Sequence, residues 1–188
     1  MSKLLNVSSS PHVRCGVSTK NLMYDVAIAM LPATIWGVMQ FGIYSLIVVV
    51  ATVLSCVLSE YLFETLMHKP VTISDGSALV TGMILGLNMP PAIPLWMPIL
   101  GGVFAIIVVK QLYGGLGQKW MNPALAARCF MLISFAQAMT KFTDPVTDAV
   151  ASATPLAAIK AGDTYDLAAM FIGKIPGTIG EVSVVALL

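Results

Sequence analysis

The run from Tyr44 to Met67 constrains this chain more than any other stretch. It carries Val48-Val49-Val50 and small polar residues compatible with a helix interior, and its only charges are Glu60 and Glu64, near one end. At 1.5 Å per residue it reaches about 36 Å, enough to cross the hydrocarbon of a bilayer. The rest of the sequence agrees with that environment. Only 10% of the 188 residues are charged and 57% are hydrophobic. A soluble domain carries roughly 25% charged residues, so this chain lacks the polar surface to fold in water. A net charge of +1 leaves no basic footprint for nucleic acid. Cys15, Cys56 and Cys129 are isolated, which argues against a disulfide framework and a self-contained zinc or iron–sulfur site.

The expected fold is an all-α polytopic membrane protein with five to six transmembrane helices, one of them short or broken. Residues 1–23 are polar around Lys3, His12, Arg14 and Lys20, lack the apolar core of a signal peptide, and read as a cytoplasmic arm. Residues 24–142 form the transmembrane region. Its first span, Tyr24 to Phe41, should kink at Pro32 and end at Gly42. The third, Ser77 to Met89, reaches only about 20 Å before Pro90-Pro91 stops it. Two readings of it stay open: a broken or re-entrant helix whose ends lie at membrane depth, or a tilted short span with its proline turn at the interface. Leu95 to Tyr113 and Pro123 to Phe142 are the remaining spans, the last opened by Asn122-Pro123 as cap and first helical residue. Residues 143–176 form a polar extracytoplasmic segment. Residues 177–188 begin a further span, and Val184 to Leu188 is too short to cross, so the sequence reads as the front portion of a longer chain.

Few polar residues are candidates for function. Glu60 and Glu64 lie four apart, on one helix face. Carboxylates near a helix end are usually solvated, and that is the expectation here; the alternative is an ion entrance. Asp75 and Glu181 sit beside helix breaks and are candidates for an ion path; Ser74 or Asp75 should also cap the third helix. Arg128 is expected to reach toward the interface, the alternative being a partner for a buried carboxylate or a flavin phosphate. With five crossings and an inside N-terminus, Lys3, Arg14, Lys20, Lys69, Lys110 and Lys119 fall on the cytoplasmic side, as the positive-inside rule favours.

Between two apolar regions lies Asp148-Ala149-Val150-Ala151-Ser152-Ala153-Thr154-Pro155-Leu156. It presents hydroxyls among small side chains before a stiff proline. On the residues alone, Ser152 or Thr154 as a helix cap, with Pro155 as the first helical residue, is the favoured reading.

An ordered set of stretches resembles one family, the D subunits of Rnf complexes with their kin, the B subunits of sodium-pumping NADH:quinone reductases. They are Ser10-Pro11-His12-Val13-Arg14, Asp25 through Pro32, Ser74 through Gly82, Tyr113-Gly114-Gly115-Leu116-Gly117, Asn122-Pro123-Ala124, Ala153-Thr154-Pro155-Leu156 and Gly180-Glu181. The short arm looks more like the Rnf member of the pair. The resemblance implies an inverted-repeat fold of which this chain holds about one half. It also implies FMN held on Thr154 by a phosphoester that a flavin transferase makes, with room for a second, non-covalent flavin. The transferase pattern is an aspartate, two free positions, Ser or Thr, Gly, then Ala-Thr. Asp148, Ala153 and Thr154 match it; Ala151 and Ser152 depart from it, both with small side chains.

The resulting expectation is a membrane flavoprotein subunit of an ion-translocating ferredoxin:NAD+ oxidoreductase in the cell membrane. It would relay electrons through FMN on the outer face, work with other Rnf subunits, and help move Na+ or H+. The alternatives are the quinone-reductase B subunit, and a flavin-free transporter, channel or structural membrane subunit.

Overall fold

The computed structural model describes residue 16, residues 18–143, 150–151, 160, 171–173, 175–181 and 183–184. Asp148, Ser152, Ala153 and Thr154 lie outside the described residues. The architecture is that of an all-α polytopic membrane protein. α1 (Thr19–Ala29) starts on Ser18, whose hydroxyl accepts from the Asn21 amide. It passes through Met30 into α2 (Leu31–Phe41). The break falls where Pro32 removes a backbone donor, as its position in the sequence predicts. Gly42 then turns the chain into α3 (Ile43–Leu66), 24 residues long with a mean hydropathy of 2.3 over its most apolar window. α1 with α2, and α3, are the two elements long and apolar enough to cross a membrane among the described residues.

α4 (Ser77–Leu87), α5 (Trp96–Phe104) and α6 (Pro123–Ser134) are shorter. α5 continues as a π-helix over Ala105–Gln111, and α6 breaks at Phe135 before a last turn, α7 (Ala136–Met139). β1 (Phe142–Thr143) and β2 (Val150–Ala151) form a two-residue antiparallel pair. The helices alternate in direction. Gly82 and Gly86 of α4 meet Val53 and Val49 of α3, so those helices are antiparallel. Ser55 donates to the Ile99 carbonyl and Lys110 meets Glu60, so α5 with its π extension runs parallel to α3. Phe104 stacks on Phe130 at 4.3 Å, and Val109 lines a cavity with Asn122 and Leu125, so α6 runs back. One end of the bundle therefore collects the start of α1, the end of α3, the starts of α4 and α6, and the π segment.

α4 organises this bundle. Nine of its eleven residues are buried, so it is enclosed on nearly all sides and not simply amphipathic. Small residues let it approach α3 closely: a Cβ on Gly82 would lie 2.6 Å from the Val53 Cα. Val48, Met89, Ile93 and Met131 complete the core around its Leu85. Its first residue is level with Glu60 and its last turn with Val49. Both ends thus stop about 9 Å short of the ends of α3. A short helix that stops inside the length of its neighbour fits both readings of this segment. Gly82→Leu should drive the two backbones apart and cost about 1–3 kcal/mol; a lower unfolding temperature in detergent, against Leu79→Met as control, checks it.

Candidate functional site: the polar ends of a short buried helix

The N-terminal end of α4 holds a polar cluster drawn from four elements. The 3-10 turn Ile73–Asp75 leads to Gly76, whose φ of 75° bends the chain back over the helix start. Asp75 then caps α4: its Oδ1 accepts from the Ser77 amide at 2.8 Å and the Ser77 hydroxyl at 2.7 Å. The capping role expected of this stretch falls to Asp75. On the other side of Ser77, the Lys110 ammonium donates to the serine Oγ at 2.6 Å and to Glu60 Oε1 at 2.5 Å. Gln111 donates to Glu60 Oε1 at 3.1 Å and to Glu64 Oε1 at 3.2 Å. Thr72 closes the cluster, its amide on Glu64 Oε2 at 3.0 Å and its hydroxyl on Glu64 Oε1.

This overturns the expectation that Glu60 and Glu64 are solvated. Glu60 is 0% exposed and Glu64 2%. Their helix face turns inward because the π segment of α5 presents a cation and an amide to it. Lys110, counted in the sequence among the cytoplasmic-side lysines, is 1% exposed and lies in the interior of the bundle. A lysine directly after fifteen uncharged residues, Leu95 to Val109, was the signal available for this.

Three carboxyl groups, Glu60, Glu64 and Asp75, converge with one buried amine, Lys110, so acidic side chains outnumber the basic one. One oxygen, Glu60 Oε2, is buried with no hydrogen-bond partner among the described residues. Burying a carboxylate oxygen unpaired is costly, which makes this group a candidate for function. A cavity of about 330 Å³ bordered by Glu64, Lys69, Thr72, Asp75 and Gln111 opens onto the cluster. Nearby, Lys119 borders a second cavity of about 430 Å³ with Ser77, Thr81, Asn122 and Pro123. Burial, helped by the charge of Lys110, holds its ammonium below the usual lysine value.

The C-terminal end of α4 is polar as well. The segment 178–181 docks against it, the Gly180 amide donating to the Leu87 carbonyl at 2.8 Å and the Ile179 amide to the Met89 carbonyl at 3.1 Å. These bonds satisfy carbonyls that a helix end leaves open. Arg128 of α6 donates to Asn88 Oδ1 and, at 3.1 Å, to Glu181 Oε1. Thr178 donates to the other Glu181 oxygen at 3.0 Å. Arg128 is therefore held by a carboxylate instead of extending freely to the interface, although that carboxylate is half exposed, not buried. Asp75 and Glu181, both singled out beside helix breaks, thus sit at opposite ends of one short helix. Asn88 was not singled out; its pairing depends on three segments distant in sequence.

A family model described as the NQR2, RnfD, RnfE family matches residues 6–188. The chain belongs to that family. Its relatives include the D subunit of the Na(+)-translocating ferredoxin:NAD(+) oxidoreductase complex of Acetobacterium woodii, 46% identical over 98% of this chain and 60% of that protein. The D subunit of the proton-translocating ferredoxin:NAD(+) oxidoreductase complex of Clostridium ljungdahlii is 39% identical, again over 98% of this chain and 60% of that protein. The D subunit of the ion-translocating oxidoreductase complex of Shewanella denitrificans is 40% identical over 82% of this chain and 45% of that protein. The chain spans about 60% of the length of the first two of these family members.

Proposed function

We propose that this chain is the front portion of the D subunit of an Rnf-type complex, a membrane assembly that moves Na+ or H+ as electrons pass from ferredoxin to NAD+. The observation that carries the ion-moving part is the Glu60–Lys110 pair. It is buried within the length of a membrane span, with one carboxylate oxygen left free. An unpaired buried oxygen is a cost in a purely structural pair and a ready ligand at a site that takes up a cation. Glu60 and Glu64 are then carboxylates of the ion path, with Asp75 beside them and Glu181 at the other end of α4.

The redox part rests on the matching residues around Asp148 and Thr154. Thr154 would hold FMN through its hydroxyl, and Asp148, Ser152 and Ala153 would form the stretch the transferase reads. The flavin supplies one- and two-electron chemistry; the chain holds it in place and sets its surroundings. The apolar cavity of about 450 Å³ between α5 and α6, with Phe104, Tyr113 and Trp120 along it and Asn122 beside it, has the size and lining for a second, non-covalent flavin ring. Lys20, Lys69 and Lys119 belong to the loops and helix starts at one end of the bundle, which supports a cytoplasmic N-terminus in the cell membrane and an outer position for Thr154. Ferredoxin and NAD+ would be handled by other subunits.

The test is flavin fluorescence of the denatured polypeptide on a gel after co-expression with the transferase. A fluorescent band is expected, weakened several-fold in Asp148→Ala with the fold unchanged. A dark wild-type band would favour the flavin-free transporter or structural subunit. Activity with quinone in place of ferredoxin and NAD+ would favour the quinone-reductase B subunit.

A further inference from the structure

We propose that Lys110 is a tethered counter-cation. It occupies the Glu60 carboxylate while no transported cation is bound, and it must leave that carboxylate for a monovalent cation to enter. This rests on Glu60 being part of the ion path. Three observations carry it.

The first is charge. Lys110 is the one ammonium within hydrogen-bond reach of the carboxylates at this end of α4 among the described residues, and it touches only one oxygen of Glu60. The other oxygen, Oε2, is buried and has no partner among the described residues. A second cation near Oε2 would meet the repulsion of the ammonium until Lys110 withdraws. The second is an alternative seat. Lys110 already donates to Ser77 Oγ, and that hydroxyl donates in turn to Asp75. An ammonium released from Glu60 therefore moves toward Asp75 without becoming unsolvated. Thr72, which lies outside the π segment and binds Glu64 through its amide and hydroxyl, keeps that carboxylate in place as the ammonium leaves.

The third is the backbone that carries Lys110. It lies on seven residues of π-helix, Ala105–Gln111, closed by the Leu112 amide on the Ile107 carbonyl five residues back, at 3.1 Å. π-Helix is found mostly as single-turn bulges within α-helices. Absorbing one residue of the bulge into α-helix turns everything after it by about 100° about the axis. That rotation takes Lys110 off the face of α3. Gly114 and Gly115, with φ of 109° and 95°, follow at once and let the connection to α6 absorb the turn.

The experiment uses the whole complex with this chain at full length, reconstituted in liposomes. Its ferredoxin:NAD+ rate is followed against NaCl, with choline chloride holding the ionic strength, and then against pH at fixed NaCl. Lys110→Met should lower the half-saturating Na+ concentration by about tenfold or, where protons are the cation, move the pH midpoint up by about one unit, the scale expected for a neighbouring charge. Lys110→Arg should keep both midpoints close to those of the wild type. If the methionine variant fails to assemble, Lys110→Gln, which keeps a donor to Glu60 without the charge, carries the same expectation. Unchanged or weaker cation dependence in the assembled neutral variant overturns the proposal. Glu60→Gln separates the two ideas. If it keeps wild-type cation dependence, Glu60 is not in the ion path. If it loses that dependence while Lys110→Met changes nothing, only the role of Lys110 is wrong.

Discussion

Thr154→Ala is expected to abolish covalent flavin, leaving a dark band where the wild type fluoresces. A phosphoester needs an oxygen nucleophile at that position, and no other part of the side chain can supply one. Thr154→Ser keeps the hydroxyl and should keep most of the flavin. Ser152, two residues earlier, tests the assignment from within: a band that stays bright in Thr154→Ala but darkens in Ser152→Ala would move the attachment point. Mass spectrometry of the peptide spanning these residues gives the same answer directly, as the mass of FMN less one water. Helix capping by Thr154 predicts something different, a loss of about 1 kcal/mol with no change in colour.

The second large effect is on stability. Glu60→Leu strands the Lys110 ammonium in the bundle, 1% exposed and left with Ser77 as its hydrogen-bond acceptor. Breaking a buried pair by removing one partner costs about 3–5 kcal/mol. Removing both charges at once is far milder, because hydrophobic residues of similar size often replace such a pair without loss. Glu60→Leu/Lys110→Met should therefore unfold closer to the wild type than Glu60→Leu does, in a thermal melt of the detergent-solubilised complex. The rescued protein should still fail to move ions, since the carboxylate is gone. Equal destabilisation in the single and double variants would mean that the two side chains do not interact.

How much of the structure is legible in the sequence depends on how local the cause is. α3 matches its expected bounds to within one residue at each end, because an apolar run of that length admits few alternatives. The kink at Pro32, the start of α4 behind Asp75 and the Asn122 cap of α6 follow from neighbours in sequence, and all three are present. Burial of Glu60 and Glu64 is not legible because it depends on Lys110 and Gln111, which are remote in sequence and reach α3 only through a π segment. No periodicity in the sequence marks that segment. Arg128 and Glu181 each stand out in the sequence, but their pairing depends on how the 178–181 segment folds back onto α4.

Gly82 and Gly86 seal the middle of α4 against Val53 and Val49 of α3, while cavities lie along its other side, beside Ser77 and Thr81 at one end and Ile84, Asn88 and Glu181 at the other. On the proposed function, a cation passing between Asp75 and Glu181 would travel along that open side of the helix and not between α4 and α3.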